Sequence, residues 1–329
     1  MDSSAHQNRS MRKLSEARWT FLTAALLAAS CAESSERPAL PERPRASASS
    51  AFWSTWGDGA AELSSYRGTV SRYGAPRPAE QVLVYVTEPL DRATSIKDDE
   101  APRERRVQVL KLNSMLRFQT GIYPYSVMTS VFAPVDSYFS ERFAPVKITT
   151  TAQEWCGHVF AGVWPGSDRF FARGLSYFAS EGERDETVEV PEGALYEDAL
   201  LVQLRELDGP FAGAGDWSGS LVPALWRARR DHVPLRPVAA TITRARVALP
   251  EGEVTRFTLR AGAYERVFEV ETSGARRVLG WTSSEGEEMR IVATERMPYW
   301  ELNDPGEEAA RERIGLPREA APGLVAPAP

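Results

Sequence analysis

The chain has 329 residues, a formal net charge of −6 and 43% hydrophobic residues, enough to bury one large core or two smaller ones. Its acidic balance excludes the cationic surface that nucleic-acid binding needs, because neutralising phosphates takes an excess of Lys and Arg. Acidic solubility is the plain meaning of the charge.

Residues 1–30 have the anatomy of a signal peptide. Arg9, Arg12, Lys13 and Arg18 precede an uncharged run from Trp19 to Ser30, too short to span a hydrocarbon core of ~30 Å as a permanent helix. Met11 is an alternative start to Met1. The run Leu27-Ala28-Ala29-Ser30-Cys31 resembles the lipobox of bacterial lipoproteins, with Ala28 standing where the family more often has Leu. The resemblance implies a diacylglyceryl thioether on Cys31, cleavage before it, and acylation of its new amino group with a palmitate-type chain. At about 0.8 kcal/mol per buried methylene, several chains make a far stronger anchor than one. Ordinary cleavage near Ala29-Ser30 or Ala32, with a secreted product, is the alternative. Ala32 after the cysteine resembles lipoproteins passed to an outer membrane, which implies a cell-envelope address. Residues 31–50 then read as the lipidated cysteine and a flexible linker, since a Ser-, Pro- and Glu-rich stretch without aromatics buries too little surface to order itself.

Aromatic density rises at Phe52-Trp53, and residues 51–303 read as one globular domain. Short runs rich in β-branched and aromatic residues, including 81–87, 107–112, 146–151, 170–173 and 188–190, are separated by Gly, Pro and charged clusters, the signature of strands. Polar and apolar residues alternate most clearly in 255–259, 264–271, 276–281 and 289–293, as in an antiparallel meander with one buried face. Helical periodicity is confined to 196–207 and 221–230. The pattern predicts a mainly β (α+β) fold, a large curved antiparallel sheet or half-barrel with a few short helices. Gly-rich residues 209–219 mark a candidate subdivision, and residues 304–329 read as a loosely ordered tail.

Candidate chemistry is sparse. Cys156 and His158 lie two residues apart, a spacing open to a nucleophile and base, yet a lone cysteine more often packs as a small hydrophobe. With Cys31 acylated, Cys156 has no disulfide partner. Trp53 and Trp56 beside Asp58 and Glu62 suggest stacking rings and acids on a glycan, with Glu154 next to Trp155 as a further acid. Gly-Asp-Gly at 57–59 is equally ordinary turn chemistry. Tyr123, Tyr125 and Trp300, beside prolines, are candidates for the rim of a pocket. Phosphate-loop, His-Glu-x-x-His and Cys-x-x-Cys motifs are absent, so no cofactor is expected, and with three histidines in all a histidine-rich metal site is not expected either.

The segments Phe52-Trp53 through Tyr66, Val86-Thr87-Glu88, Gly121 through Ser130 and Gln153 through Gly157 resemble an uncharacterised family of bacterial envelope lipoproteins. The similarity spans most of residues 52–303 and brings no catalytic residue with it. Two functions follow as expectations. The first is a non-enzymatic lipoprotein, anchored to membrane lipid through Cys31, that holds an apolar or amphipathic ligand, a lipid or glycan, or docks on an unidentified protein. The second is an envelope glycan hydrolase using Asp58, Glu62 or Glu154, which requires two of these carboxylates to converge.

Overall fold

The computed structural model describes residues 37–139, 142–206, 211, 215–250 and 252–318. Cys31 and the expected signal peptide lie outside the described residues, as do 319–329 of the expected tail.

The fold is mainly β, as the alternation predicts. Helix α1 (Ser50–Trp56) leads into β1 (Ala61–Arg72), β2 (Ala75–Asp91), β3 (Ile96–Lys97), β4 (Arg106–Thr120), β5 (Tyr123–Pro134), β6 (Lys147–Glu154), β7 (Gly157–Pro165), β8 (Arg169–Ser176) and β9 (Glu183–Glu189). Then come β10 (Leu195–Tyr196), α2 (Leu200–Gln203), β11 (Trp217–Val222), α3 (Leu225–Arg230), β12 (Val238–Leu249), β13 (Gly252–Ala261), β14 (Tyr264–Glu271), β15 (Val278–Ser283) and β16 (Glu288–Met297). All sixteen strands belong to one sheet, in the order β10-β11-β12-β13-β14-β15-β16-β1-β2-β4-β5-β6-β7-β8-β9, with β3 on β2. The chain therefore enters at the middle, walks to the β9 edge, crosses to β10 and walks back until β16 lies beside β1. Every pairing is antiparallel except β10 with β11, and the sheet stays open between β9 and β10.

Turn chemistry sets the registers. Tyr73-Gly74 joins Arg72 to its partner Ala75, and Gly121-Ile122 joins Thr120 to Tyr123, two-residue loops whose positive φ at Tyr73, Gly74 and Gly121 matches the right-handed twist of the strands. The largest hydrophobic cluster takes Tyr66, Leu83, Tyr85, Leu110, Leu112, Val159, Val163, Phe170, Phe257, Phe268 and Trp281 from the sheet, and it is completed by Phe52 and Trp56 of α1 and by Leu200, Leu201, Val202 and Leu204. The hollow of the curved sheet is thus filled by the chain's own segment 197–206.

Three expectations differ from what is observed. The periodic stretch 196–207 makes a short 3-10 turn, Glu197–Ala199, and one turn of α-helix, α2, because it is buried on nearly all sides and has no solvent face to extend along. Residues 37–50 of the expected linker lie against the body: Arg37 covers the Trp164 ring at 4.1 Å, Ala46 bridges Ser137, and the Ala48 N–H donates to Asp136 at 2.8 Å. Within the expected tail, Glu307–Ile314 forms a 3-10 helix, and Ile314 and Leu316 pack on Leu63, Val84 and Met297. Apolar residues there are few, but they meet a waiting apolar patch on the outer face of the sheet. The described part of 209–219 runs directly into β11 of the same sheet.

Candidate functional site

Of the carboxylates singled out in the sequence, Glu154 lies far from the other two, and Asp58 and Glu62 are each bound by a different arginine. Asp58 follows α1 in an exposed turn, accepts the Ala60 N–H at 3.0 Å and pairs with Arg296; that guanidinium holds its carboxyl below the usual range. Glu62 is buried on β1 and is taken up by Arg205 through bonds of 2.7 and 3.1 Å. Glu154 closes β6 next to the β6–β7 turn. Through the pairings Ser126 with Gln153, Arg117 with Ser126, Glu80 with Arg117 and Arg67 with Glu80, Glu154 lies level with Gly68, six residues along and four strands across from Glu62. That is a separation on the order of 20 Å along the strands alone. A two-carboxylate hydrolase needs about 5 to 10 Å between its acids, and Asp58 and Glu62 are each neutralised by a separate arginine.

Cys156 is exposed in the β6–β7 turn, where its own N–H donates to the Glu154 carboxylate at 2.8 Å. A hydrogen bond and the negative charge from Glu154 push the thiol pKa up, the reverse of what activates a nucleophile. His158 is exposed on β7 opposite Gln153. The aromatic candidates divide in two. Trp56 and Tyr125 are core residues: Trp56 lies between Arg205 at 5.3 Å and Arg296 at 4.9 Å, and Tyr125 stacks on Phe118 at 4.9 Å. Trp53, Trp155 and Trp300 reach solvent, and Tyr123 packs beside Trp155 at 6.4 Å.

Two cavities do collect chemistry. One is a polar hollow of about 80 Å³ between the filling segment and the sheet. The Glu197 carboxylate at its edge accepts Tyr264 Oη at 2.6 Å, the Ala224 N–H at 3.1 Å and Arg227 Nε at 3.1 Å, with Arg266 at 3.4 Å. Burial would raise this carboxyl, but Arg266, Arg227 and Tyr264 overcome it and its pKa lies below the ordinary value. Beside it Asp198 is pushed up to about 7, chiefly by burial and partly offset by the Leu225 N–H. Gln81 Oε1 and Arg266 Nε are buried there without a hydrogen-bond partner, as befits a hollow with room for water.

The other is an open cleft of about 530 Å³ at the unclosed side of the sheet. Its floor is the inner face of β6–β9, where Thr150, Val159, Ala161, Ala172 and Gly174 line it; its roof is Leu225 and Ala228 of α3 with Val233, Pro234 and Leu235. The space exists because Ala161, Ala172 and Gly174 of the floor are small. Where Phe170 stands on the same face, the core is closed. Arg173, Arg184, Arg229 and Arg236 outnumber Glu181 and Glu186 around the cleft. Arg229 meets Glu181 at 3.5 Å, Arg236 meets Glu186 at 2.8 Å and Arg173 donates Nε to Asp185 at 2.8 Å, so the charges form a largely paired rim around an apolar interior, with Arg184 outside these pairs. None of these residues stood out in the sequence. The available signal was Ala161-Gly162 and Ala172-Arg173-Gly174, small residues inside strands otherwise built from Val, Phe and Trp.

No group of three or more His, Cys, Asp or Glu able to hold a metal ion occurs among the described residues, and no helix among them is long and apolar enough to cross a membrane. No family profile, no curated protein and no solved structure matches the chain.

Proposed function

We propose that the protein is an envelope lipoprotein, tethered to a membrane through acylated Cys31, whose domain binds one amphipathic anion rather than carrying out catalysis. The cleft beneath α3 carries this reading. At about 530 Å³ it falls within the roughly 300 to 1,000 Å³ of small-molecule sites, which combine an apolar lining with a few convergent polar groups. An acyl or other apolar chain lies along Ala161, Ala172 and Leu225, and an acidic head meets the arginine-rich rim at Arg184, Arg229 and Arg236. The signal-peptide pattern and the lipobox at Cys31 support the address, and the same address supplies ligands of this kind in abundance.

The experiment is native mass spectrometry, followed by organic extraction, of the full chain carrying Cys31→Ser so that no covalent lipid is attached. The expected result is a reproducible co-purifying lipid, fatty acid or lipid-linked glycan in the parent and its loss in Ala172→Trp, where an indole fills the cleft. An empty parent chain, or equal ligand content in Ala172→Trp, overturns the assignment.

A further inference from the structure

We propose that one end of the sheet docks on a lipid surface, with Tyr73, Ile122, Trp155 and Tyr177 entering the headgroup boundary. The antiparallel order places the turns β1–β2, β4–β5, β6–β7 and β8–β9 at the same end. Each of these turns carries one large apolar side chain that is well exposed, Tyr73, Ile122, Trp155 and Tyr177 in that order, Phe178 beside Tyr177 being partly buried against the core. At 60%, 78%, 68% and 69% exposure, these are the four most exposed large hydrophobic residues among those described. Coincidence of the four highest exposures with four hairpin tips at one end is a pattern that scattered surface hydrophobics do not produce.

The rings are held in place by their neighbours. Tyr73 Oη bonds Tyr125 Oη at 2.8 Å, Trp155 lies against Tyr123, and Tyr177 packs directly over Gly157, where even a Cβ would be only 2.8 Å from the ring. Tyr73 also carries backbone strain. It sits at φ 54° beside Gly74 at 73°, the first position of a type I′ turn, where Asn, Asp or Gly is relaxed and a bulky residue is an outlier. Strain of this kind persists at sites retained for function.

The chemistry of the row selects lipid as the occupant. Neighbouring tips are two strands apart, about 9 to 10 Å, and are joined into one projecting row through Tyr125 and Tyr123, with Tyr177 resting on the next turn at Gly157. Tyr and Trp, apolar in body and polar at the tip, are the side chains enriched at membrane–water boundaries. Behind them Arg72 donates to the phenols of Tyr73 and Tyr125 and to the Arg230 carbonyl and lies 4.3 Å from the Tyr73 ring, placing positive charge behind the β1–β2 tip where anionic headgroups would lie, while Glu154 carries the opposite charge at the β6–β7 tip. Arg37 and Pro38 pack at the opposite end, on Trp164 and Gly166, and six residues from Cys31 to Arg37 reach at most ~20 Å, so the lipid surface that receives the tips is a different one from the membrane that acylated Cys31 enters.

The chain supplies its own probe. It has two cysteines, so in the Cys31→Ser chain the exposed Cys156, next to Trp155, is the single thiol. An environment-sensitive fluorophore on Cys156 is titrated with vesicles of phosphatidylethanolamine and phosphatidylglycerol. The expected result is brighter, blue-shifted emission, with Ile122→Ser and Tyr73→Asn each weakening vesicle affinity by roughly fivefold or more. Tyr73→Asn is also expected to keep or raise the thermal midpoint, because Asn tolerates the left-handed conformation, so lost binding is not lost folding. No response to vesicles overturns the proposal. So does an equal response in the tip variants, or a response to protein concentration alone, which would assign the tips to a second copy of the chain.

Discussion

Glu62 of β1 and Arg205, which follows α2, form a bidentate ion pair of 2.7 and 3.1 Å with both side chains almost fully shielded from water. Arg205 also donates to the Ala275 carbonyl at 3.0 Å and lies 4.4 Å from the Tyr85 ring, while Tyr85 Oη donates to the Leu201 carbonyl at 2.9 Å. The pair therefore fastens the filling segment to the middle of the sheet. Removing one partner leaves a buried charge uncompensated, which costs about 3 to 5 kcal/mol, whereas replacing both with apolar residues is far milder. Chemical denaturation should show Glu62→Leu and Arg205→Met each strongly destabilised and the double variant restored toward the parent. Additive losses would mean that the two residues act separately.

Stability should fall as pH rises through neutrality. Burial pushes the Glu206 carboxyl up to about 7, against the opposing charge of Arg205, and Asp198 is likewise raised to about 7. A carboxyl raised above its unfolded value stabilises the folded state fully below the unfolded pKa of about 4, and that contribution is lost as pH rises through the folded pKa near 7. The expected loss between pH 5 and 8 is on the order of 1 to 3 kcal/mol, and Glu206→Gln with Asp198→Asn should flatten it. At the acid end Glu197, Asp231, Glu269 and Glu271, all held below their ordinary values, act in the opposite sense: the stability they contribute is lost as pH falls below about 4. A urea midpoint that climbs from pH 6 to 8 would contradict the assignment.

Cys156 should react slowly for an exposed thiol. With Glu154 raising its pKa, less thiolate is present at pH 8 than in a free cysteine. Glu154→Gln should speed alkylation by roughly two- to fivefold at that pH, and the difference should vanish above pH 10. Equal rates at pH 8 would show that the carboxylate does not act on the sulfur.

Much of the sheet was legible in the sequence because alternation reports a strand with one wet face. Residues 255–259, 264–271 and 289–293 fall inside β13, β14 and β16 for that reason. The filling segment was misread in extent, since Glu197, Arg205 and Glu206, which read as the wet face of a longer amphipathic helix, are buried between sheet and α1 instead. The cleft was invisible because it is defined by what Ala161, Ala172 and Gly174 lack, and small residues leave no mark in a hydrophobic pattern. Aromatic residues drew attention wherever they stood, yet the sequence does not separate Trp56, sealed between two arginines, from Trp155, projecting at a turn. That distinction depends on which end of a strand faces a hairpin.

Gly68 marks the seam where the walk along the sheet ends, with β16 beside β1. It pairs with Met289, and an added Cβ would lie 1.8 Å from the Glu288 carbonyl oxygen, so the two backbones approach there more closely than any side chain allows. The obstacle is main chain on both sides, and no rotamer change relieves it. Gly68→Ala must therefore displace β16, which carries Met289 and Ile291 of the core and, through Met297, the patch that receives Ile314 and Leu316. The expected loss is about 3 kcal/mol or more, at the upper end for single substitutions, with faster amide exchange in 288–297 and 307–316 and little change in β4–β8. A variant as stable as the parent, or one that loosens β1–β9 uniformly, would show that the seam tolerates sliding and that β1 and β16 are not held by this close approach.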